Sequence, residues 1–129
     1  MEKLAINGGI PVRETKIYYG KQWIDENDIY AVDEVLRSDY VTCGPKTQEL
    51  ERSLEQYTGA RHAVAVSNGT AALHCACMAA GIGAGDEVIT TPLTFAASAN
   101  CALYCGAKPV FADVEEDTYN IDPKSIEEK

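Results

Sequence analysis

The sequence lacks several features that would indicate particular partners. Eleven basic residues against twenty acidic ones give a formal net charge of -9, which would repel a nucleic-acid backbone and offers no basic run for an anionic membrane. The five cysteines contain no C-x-x-C pair, and the opening MEKLAINGG lacks the apolar core of a signal peptide. Nucleic acid and membrane are therefore not expected partners, and free thiols in a reducing cytoplasm are expected.

Common nucleotide and metal motifs are missing as well. The chain has no G-x-x-x-x-G-K-[ST] sequence, and GIGAG at 81–85 precedes a predicted strand, whereas the dinucleotide motif G-x-G-x-x-G follows one. His74, Cys75 and Cys77 are close in sequence, but neighbouring helix positions point to different faces. No metal site is predicted, and the cysteines are expected to be small apolar residues of the core.

The composition is typical of one globular domain. The chain has 129 residues, of which 46% are hydrophobic and 24% charged, enough for a single core. Glycine and proline interrupt any periodic pattern in residues 1–24, so this segment is expected to be an N-terminal arm. Residues 25–129 are expected to form the domain.

Two helices are predicted before any strand. Asp25 is a suitable N-cap for a segment whose apolar residues recur at helical spacing, which predicts an amphipathic surface helix. After a break at 38–45, a second helix is predicted from about 46 to 57, ended by Gly59. The residues that this second helix is expected to bury are Leu50, Leu54 and Tyr57.

From residue 62 onward, predicted strands alternate with predicted helices. Such alternation indicates an α/β domain with mostly parallel strands. A final helix opens at Asp122 and Pro123, a cap followed by a first-turn proline. The predicted strands are 62–66, 87–91 and 108–114, and the helices between them are 69–80 and 95–105.

The turn SNGT, residues 67–70, is the first candidate for a binding site. It joins a predicted buried strand to a helix, so Asn68 can cap the helix and Gly69 allows a ligand to approach the backbone. The amides of Gly69, Thr70 and Ala71 are expected to be free to bind an anion such as phosphate. A turn of this kind also caps many ordinary core helices, and the motif alone does not distinguish the two roles.

Phe95 is the second candidate. It follows the predicted strand 87–91 and starts the next helix, at the carboxyl edge of the sheet where open α/β proteins bind ligands. One loop could then hold a phosphate while the next supplies a flat ring, which suits pyridoxal 5'-phosphate. The alternative for Phe95 is simple packing at a helix end.

These segments, in this order, resemble the opening of the DegT/StrS-type sugar-nucleotide aminotransferases. The resemblance runs from about Tyr18 to Ile126 and is carried by YGKQWIDENDIYAVDEVLRSDYVTCGP, SNGTAALHCACMAAGIGAGDEVITTPLTFAASAN and GAKPVFADVEEDTYNIDP. It implies an α/β fold, the N-terminal part of a fold type I pyridoxal-phosphate transferase domain, with an incomplete, mostly parallel sheet and flanking helices.

The resemblance also implies a function. It assigns Gly69 and Thr70 to the phosphate of pyridoxal 5'-phosphate and Phe95 to stacking on its ring, with Trp23 and the turn 42–45 near the substrate. The expected reaction is the amination of a keto sugar carried on a nucleoside diphosphate, with an amino donor such as glutamate. This reaction belongs to surface polysaccharide or glycan biosynthesis. The expected assembly is a homodimer.

The catalytic residues of this family are expected to lie outside the chain. Transamination needs a lysine that forms a Schiff base with the cofactor and an acidic residue at the pyridinium nitrogen. None of the lysines has the matching context, and Asp113 is as well explained as a turn or helix cap. We therefore predict an N-terminal portion that is inactive alone. The alternative is a non-catalytic remnant that binds phosphate or dimerises.

Overall fold

The computed structural model describes residues 3–129, so residues 1 and 2 of the predicted arm lie outside it. Its contacts form two compact units, one ending at Glu49 and the other Leu50–Lys129. The predicted boundary between arm and domain, after residue 24, stays a prediction. In chain order the elements are a 3-10 turn Ala5–Asn7, α1 Glu26–Leu36, α2 Pro45–Thr58, α3 Gly69–Ala79, β1 Glu87–Thr90, α4 Ala97–Tyr104, β2 Lys108–Phe111 and α5 Pro123–Glu127.

Helix α1 begins where its cap predicts. The Asp25 carboxylate accepts hydrogen bonds from the amides of Asn27 and Asp28 at 2.8 and 3.2 Å. The Asp28 carboxylate accepts from the Asp25 amide at 2.9 Å, which completes a capping box. The predicted surface helix is confirmed, and its apolar residues Ile29 and Leu36 are exposed.

Helix α2 ends as predicted, but the side chains predicted to be buried on it are exposed. Gly59 adopts φ 74, and its amide donates to the Glu55 carbonyl at 2.9 Å, a typical left-handed helix end. The predicted burial of the apolar stripe is wrong, because helical spacing identifies a stripe but not the element that covers it. The exposed fractions are 53% for Leu50, 42% for Leu54 and 91% for Tyr57.

The predicted parallel α/β arrangement is confirmed by the two strands. β1 and β2 pair in parallel, with Glu87 opposite Lys108 and Thr90 opposite Phe111. The connection between them is α4, which packs against both strands. The two parallel strands and the helix between them form a βαβ unit, as the predicted alternation of strands and helices requires.

The predicted strand 62–66 is not a strand in the structure. Among the described residues, no backbone ladder includes this segment. The amides of Ala63 and Ala65 donate instead to side-chain carboxylates of Glu55 and Glu51. The sequence pattern identified an apolar segment correctly, but strand pairing depends on a neighbour that the pattern does not contain.

The buried part of the described chain is small and consists of small side chains. Ala102 and Ala112 have no exposed surface, and α3 packs against α4 around Cys77. The predicted core position of the cysteines is confirmed for Cys77 and Cys101 and wrong for Cys75, which is exposed. The buried apolar residues are Cys77, Ala97, Cys101, Ala102, Ala107 and Ala112.

Helix α5 is capped as the sequence predicts. The Asp122 carboxylate accepts from the Lys124 amide at 2.9 Å, and Pro123 occupies the first turn. The Asp113 amide donates to the Ser125 hydroxyl at 2.9 Å, which ties the helix to the segment after β2. Within residues 3–129, no helix has both the length and the hydropathy that crossing a bilayer requires.

Candidate phosphate-binding site at the start of α3

Asn68 sets the start of α3. Its backbone is extended, and its side-chain oxygen accepts a hydrogen bond from the Ala71 amide at 2.9 Å. The Asn68 carbonyl accepts from the Ala72 amide at 3.1 Å, so the helical bonds begin immediately. The cap predicted from the sequence is confirmed, and it fixes the direction in which the first amides of the helix point.

In the part of the chain that the structure describes, two amides at this helix end have no acceptor. Within residues 3–129, no hydrogen bond from the amide of Gly69 or Thr70 is found. The prediction that the Ala71 amide is also free is wrong, because the Asn68 cap uses it. Free amides at the positive end of a helix dipole bind anions, so two donors of this turn suit a phosphate group.

The space in front of Gly69 is open. A Cβ atom built on Gly69 would meet no atom within 4 Å, while the neighbouring Thr70 is half-buried. The side of Gly69 on which a side chain would stand is therefore not occupied by protein atoms of the described chain. The residues present fit a cofactor phosphate, and the hydroxyl of Thr70 is a further hydrogen-bond donor on the residue that carries the second free amide.

Phe95 lies in the turn between β1 and α4. Its carbonyl accepts from the Ser98 amide at 3.0 Å, and the Ser98 and Thr94 hydroxyls are 3.2 Å apart. The helix itself starts at Ala97, two residues later than predicted. Phe95 is 77% exposed, so it is not a core residue of the described chain, and its aromatic side chain is accessible to a ligand.

No hydrogen bond or ring contact found in residues 3–129 joins Phe95 to the turn at Gly69. Both belong to the unit Leu50–Lys129. Their use by a single ligand thus stays a prediction from the sequence.

Asp113 has a local structural partner. Its carboxylate accepts from the amide of Val114 at 2.8 Å, and its carbonyl accepts from the amide of Asp122. These bonds shape the turn after β2, which agrees with the interpretation of Asp113 as a turn residue.

Two of the lysines are held by carboxylates. The Lys108 ammonium lies 2.7 Å from the Glu87 carboxylate, and that of Lys46 lies 3.0 Å from the Glu49 carboxylate. The hydrogen bond to Glu49 raises the pKa of Lys46, which keeps this amine protonated and non-nucleophilic. Neither side chain resembles a lysine prepared for covalent chemistry.

The segments expected near a substrate lie in the first unit. Trp23 is 93% exposed, and a shallow groove beside it is lined by Ile24, Asp28, Ile29 and Val32. In the turn 42–45, Cys43 has φ 51, a left-handed conformation that is uncommon for a residue with a side chain. The predicted substrate role of both segments stays a prediction.

Sequence reasoning did not identify Glu51 and Glu55. Both are half-buried on α2, and both accept backbone hydrogen bonds from the segment that leads into the turn. The available pattern was their spacing of four residues, which places two carboxylates on one face of a helix.

The fold and the site define a class of protein. A parallel βαβ unit, with helix ends that follow extended segments and keep free amides, is typical of α/β proteins that bind phosphate-bearing ligands. The comparisons with known proteins then identify the family. The model of the DegT/DnrJ/EryC1/StrS aminotransferase family matches residues 22–129, and the chain belongs to this family.

Two curated relatives share half of the aligned residues. The Bacillus subtilis spore coat polysaccharide biosynthesis protein SpsC is 50% identical over 109 residues, which are 84% of this chain and 28% of SpsC. The Shewanella sediminis UDP-4-amino-4-deoxy-L-arabinose–oxoglutarate aminotransferase is 50% identical over 104 residues, 81% of this chain and 27% of that enzyme. The chain thus spans little more than a quarter of each relative.

Solved structures confirm the fold. The putative sugar aminotransferase Spr1654 of Streptococcus pneumoniae, solved in a PLP form, superimposes with a TM-score of 0.82 at 38% identity. The match covers 88% of this chain and 29% of the Spr1654 chain. Helicobacter pylori PseC, an aminotransferase of pseudaminic acid biosynthesis, superimposes with a TM-score of 0.81 at 34% identity. The match covers 88% of this chain and 31% of PseC. The described chain has the fold of the matching α/β portion of these aminotransferases, which confirms the predicted fold class, the N-terminal part of a fold type I transferase domain.

Proposed function

We propose that this chain is the N-terminal, phosphate-binding part of a pyridoxal-phosphate-dependent aminotransferase that aminates a keto sugar carried on a nucleoside diphosphate. The observation that carries the proposal is the start of α3, where the amides of Gly69 and Thr70 have no acceptor within residues 3–129 and a Cβ built on Gly69 would meet no atom within 4 Å. The family and the sugar aminotransferase names of the relatives support the rest.

The residues of this chain bind and orient the cofactor. In the proposal, the Gly69 and Thr70 amides donate to the phosphate, and the Thr70 hydroxyl adds a further hydrogen bond. The exposed ring of Phe95 covers one face of the pyridine ring and excludes water from it. When bound, pyridoxal 5'-phosphate supplies the electron sink for transfer of an amino group from a donor such as glutamate.

The proposal assigns no lysine of this chain to covalent binding of the cofactor. Lys46 and Lys108 are paired with carboxylates, and no other lysine matches the family's catalytic context. The covalent step then needs residues that this chain does not supply, and the isolated chain is inactive.

The assembly and location also belong to the proposal. The described chain exposes large apolar side chains such as Leu50 and Phe111, which the rest of the enzyme and, in the proposed homodimer, a second subunit would cover. The proposed location is the cytoplasm, whose reducing conditions keep thiols free, and the five cysteines form no disulfide within residues 3–129. The UDP-sugar and oxoglutarate in the name of one relative support a nucleotide sugar and glutamate as reactants.

A matched pair of ligands tests the proposed phosphate-binding site at Gly69 and Thr70. Pyridoxamine 5'-phosphate and pyridoxamine differ only in the phosphate, and neither has an aldehyde that would attach to surface lysines. We expect the 129-residue chain to bind the phosphorylated ligand at least about tenfold more tightly in a fluorescence titration, because charged hydrogen bonds are lost with the phosphate. Equal affinities would contradict the proposal.

The covalent part is tested separately. After incubation with pyridoxal 5'-phosphate and reduction with borohydride, peptide mass spectrometry should find only scattered, substoichiometric labelling of lysines. Stoichiometric labelling of a single lysine would refute the claim that this chain lacks the covalent residue. If the chain bound inorganic phosphate as well as it binds pyridoxamine 5'-phosphate, and no lysine were labelled, the alternative of a non-catalytic phosphate-binding module would be favoured instead.

A further inference from the structure

The covered face of α2 is polar and carries two carboxylates. Glu51 accepts from the Ala65 amide at 2.9 Å, and Glu55 accepts from the Ala63 amide at 3.1 Å. Both glutamates are half-buried, while Arg52 between them is exposed. The helix therefore faces the extended segment 62–66 with this glutamate pair (Glu51 and Glu55) and not with an apolar stripe.

The spacing of the glutamate pair matches an extended chain. Four residues of an α-helix rise about 6 Å, and two residues of an extended segment advance about 6.6 Å. Alternate amides of an extended chain point to the same side, so Ala63 and Ala65 present their donors together, as they would to a neighbouring strand. The pairing of Glu51 with Ala65 and Glu55 with Ala63 runs antiparallel, so that α2 substitutes for one edge of a ladder.

This pairing fixes the register of the segment. Ala63 and Ala65 are half-buried, whereas Val64 between them is 78% exposed. A slip of one residue would turn Val64 inward and leave both carboxylates without their donors. Two residues after Ala65 the chain enters the turn Ser67–Asn68 that starts α3.

We propose that Glu51 and Glu55 are positioning residues that hold the segment 62–66 in register and thereby place the amides of Gly69 and Thr70 for phosphate. This role rests on the proposed function, since it needs a ligand at those amides. The glutamates do not touch the ligand. They act through the backbone of the segment that enters the turn, at a place where no strand of the described chain pairs with it.

Backbone exchange tests the hydrogen bonds directly. Glu51→Met removes one acceptor and should speed hydrogen exchange of the Ala65 amide by about tenfold or more in NMR spectra of the 129-residue chain, because a charged acceptor is lost. Glu55→Met should act in the same way on Ala63. The control Gln56→Met changes the exposed face of the same helix and should alter neither amide.

Conservative variants separate positioning from general loss of structure. Glu51→Gln and Glu55→Gln keep an acceptor oxygen of the same reach, so exchange at both amides should return most of the way to the original rates. If both methionine variants left exchange at Ala63 and Ala65 unchanged, the hydrogen bonds and the proposal would be refuted. The glutamine variants also keep the test decisive should a methionine variant fail to fold.

Ligand binding tests the consequence for the site. The double variant Glu51→Met with Glu55→Met should weaken binding of pyridoxamine 5'-phosphate by about tenfold, and the double glutamine variant should restore it. Faster exchange with undiminished affinity would refute the positioning role. Failure of the unaltered chain to prefer pyridoxamine 5'-phosphate over pyridoxamine would refute the proposed function and with it this role, while exchange at Ala63 and Ala65 still reports whether the glutamate pair fixes the segment.

Discussion

Substituting Gly69 by alanine should separate folding from phosphate binding. Gly69 is the first residue of α3, its φ is not in the left-handed region, and a Cβ there would meet no atom within 4 Å. The folded chain can therefore accept the methyl group without strain. The proposal places the phosphate at the Gly69 amide, and the added methyl group would stand beside that amide and hinder the approach of the phosphate.

The expected magnitudes have opposite signs. A glycine-to-alanine change at an unstrained position stabilises a protein by about 0.4–1 kcal/mol, because the unfolded chain loses freedom. Loss of one hydrogen bond to the charged phosphate costs about 1.5–3 kcal/mol, which weakens binding by about tenfold or more. Gly69→Ala should thus be as stable as the unaltered chain or more stable, and a poorer binder of pyridoxamine 5'-phosphate.

Gly59→Ala is the matched control. A Cβ at Gly59 would also meet no atom within 4 Å, but φ is 74. An alanine in this left-handed conformation costs about 1–2 kcal/mol, so this variant should be less stable.

Urea unfolding followed by circular dichroism measures stability, and fluorescence titration measures affinity. A destabilised Gly69→Ala would show that the space is not open. An unchanged affinity would show that the phosphate does not bind there.

Two further predictions concern parts of the fold outside the site. Burial, with a smaller contribution from the hydrogen bond to Cys101, raises the pKa of the Cys77 thiol, so iodoacetamide should modify it at least about tenfold more slowly than the exposed Cys75. The neutral Cys77 thiol stabilises the fold at pH values below the ordinary thiol pKa, and this stabilisation is lost as the pH rises through the raised pKa. Urea midpoints measured from pH 7 to 10, compared with those of Cys77→Ala, should show this loss. Equal alkylation rates of Cys77 and Cys75 would contradict burial. Asp25→Ala removes the cap of α1 and should destabilise that helix by about 0.5–2 kcal/mol, measured by hydrogen exchange. Asp33→Ala, which removes only an exposed ion pair with Arg37, should have a smaller effect, and equal effects would argue against the cap.

The helix ends were predictable because the information is local. Asp25, Asn68 and Asp122 each accept a bond from an amide two or three residues ahead, and Gly59 and Gly106 adopt left-handed conformations after α2 and α4. Such caps depend on a few consecutive residues, and a single sequence contains them in full. The turn at Gly69 was predictable for the same reason.

The positions of the elements relative to their neighbours were harder to predict. Segment 62–66 has the composition of a buried strand, yet its amides pair with carboxylates of α2. Periodicity likewise identified Leu50 and Leu54 as an apolar stripe, while the described structure covers the polar side of the helix. Both errors arise because pairing and burial depend on residues far away in the sequence.

The candidate site depends on support from both sides of the turn. On the carboxyl side, α3 packs on α4, and the buried residues of these helices, such as Cys77 and Ala102, have small side chains. On the amino side, the segment before the turn is held by charged hydrogen bonds from α2 and not by a sheet ladder. Two of the three donors proposed for the phosphate are backbone amides, which cannot follow a displaced ligand as a side chain can. Its affinity therefore depends on how firmly the chain is held before and after Gly69, and the variants of Glu51 and Glu55 measure the less conventional of these two supports.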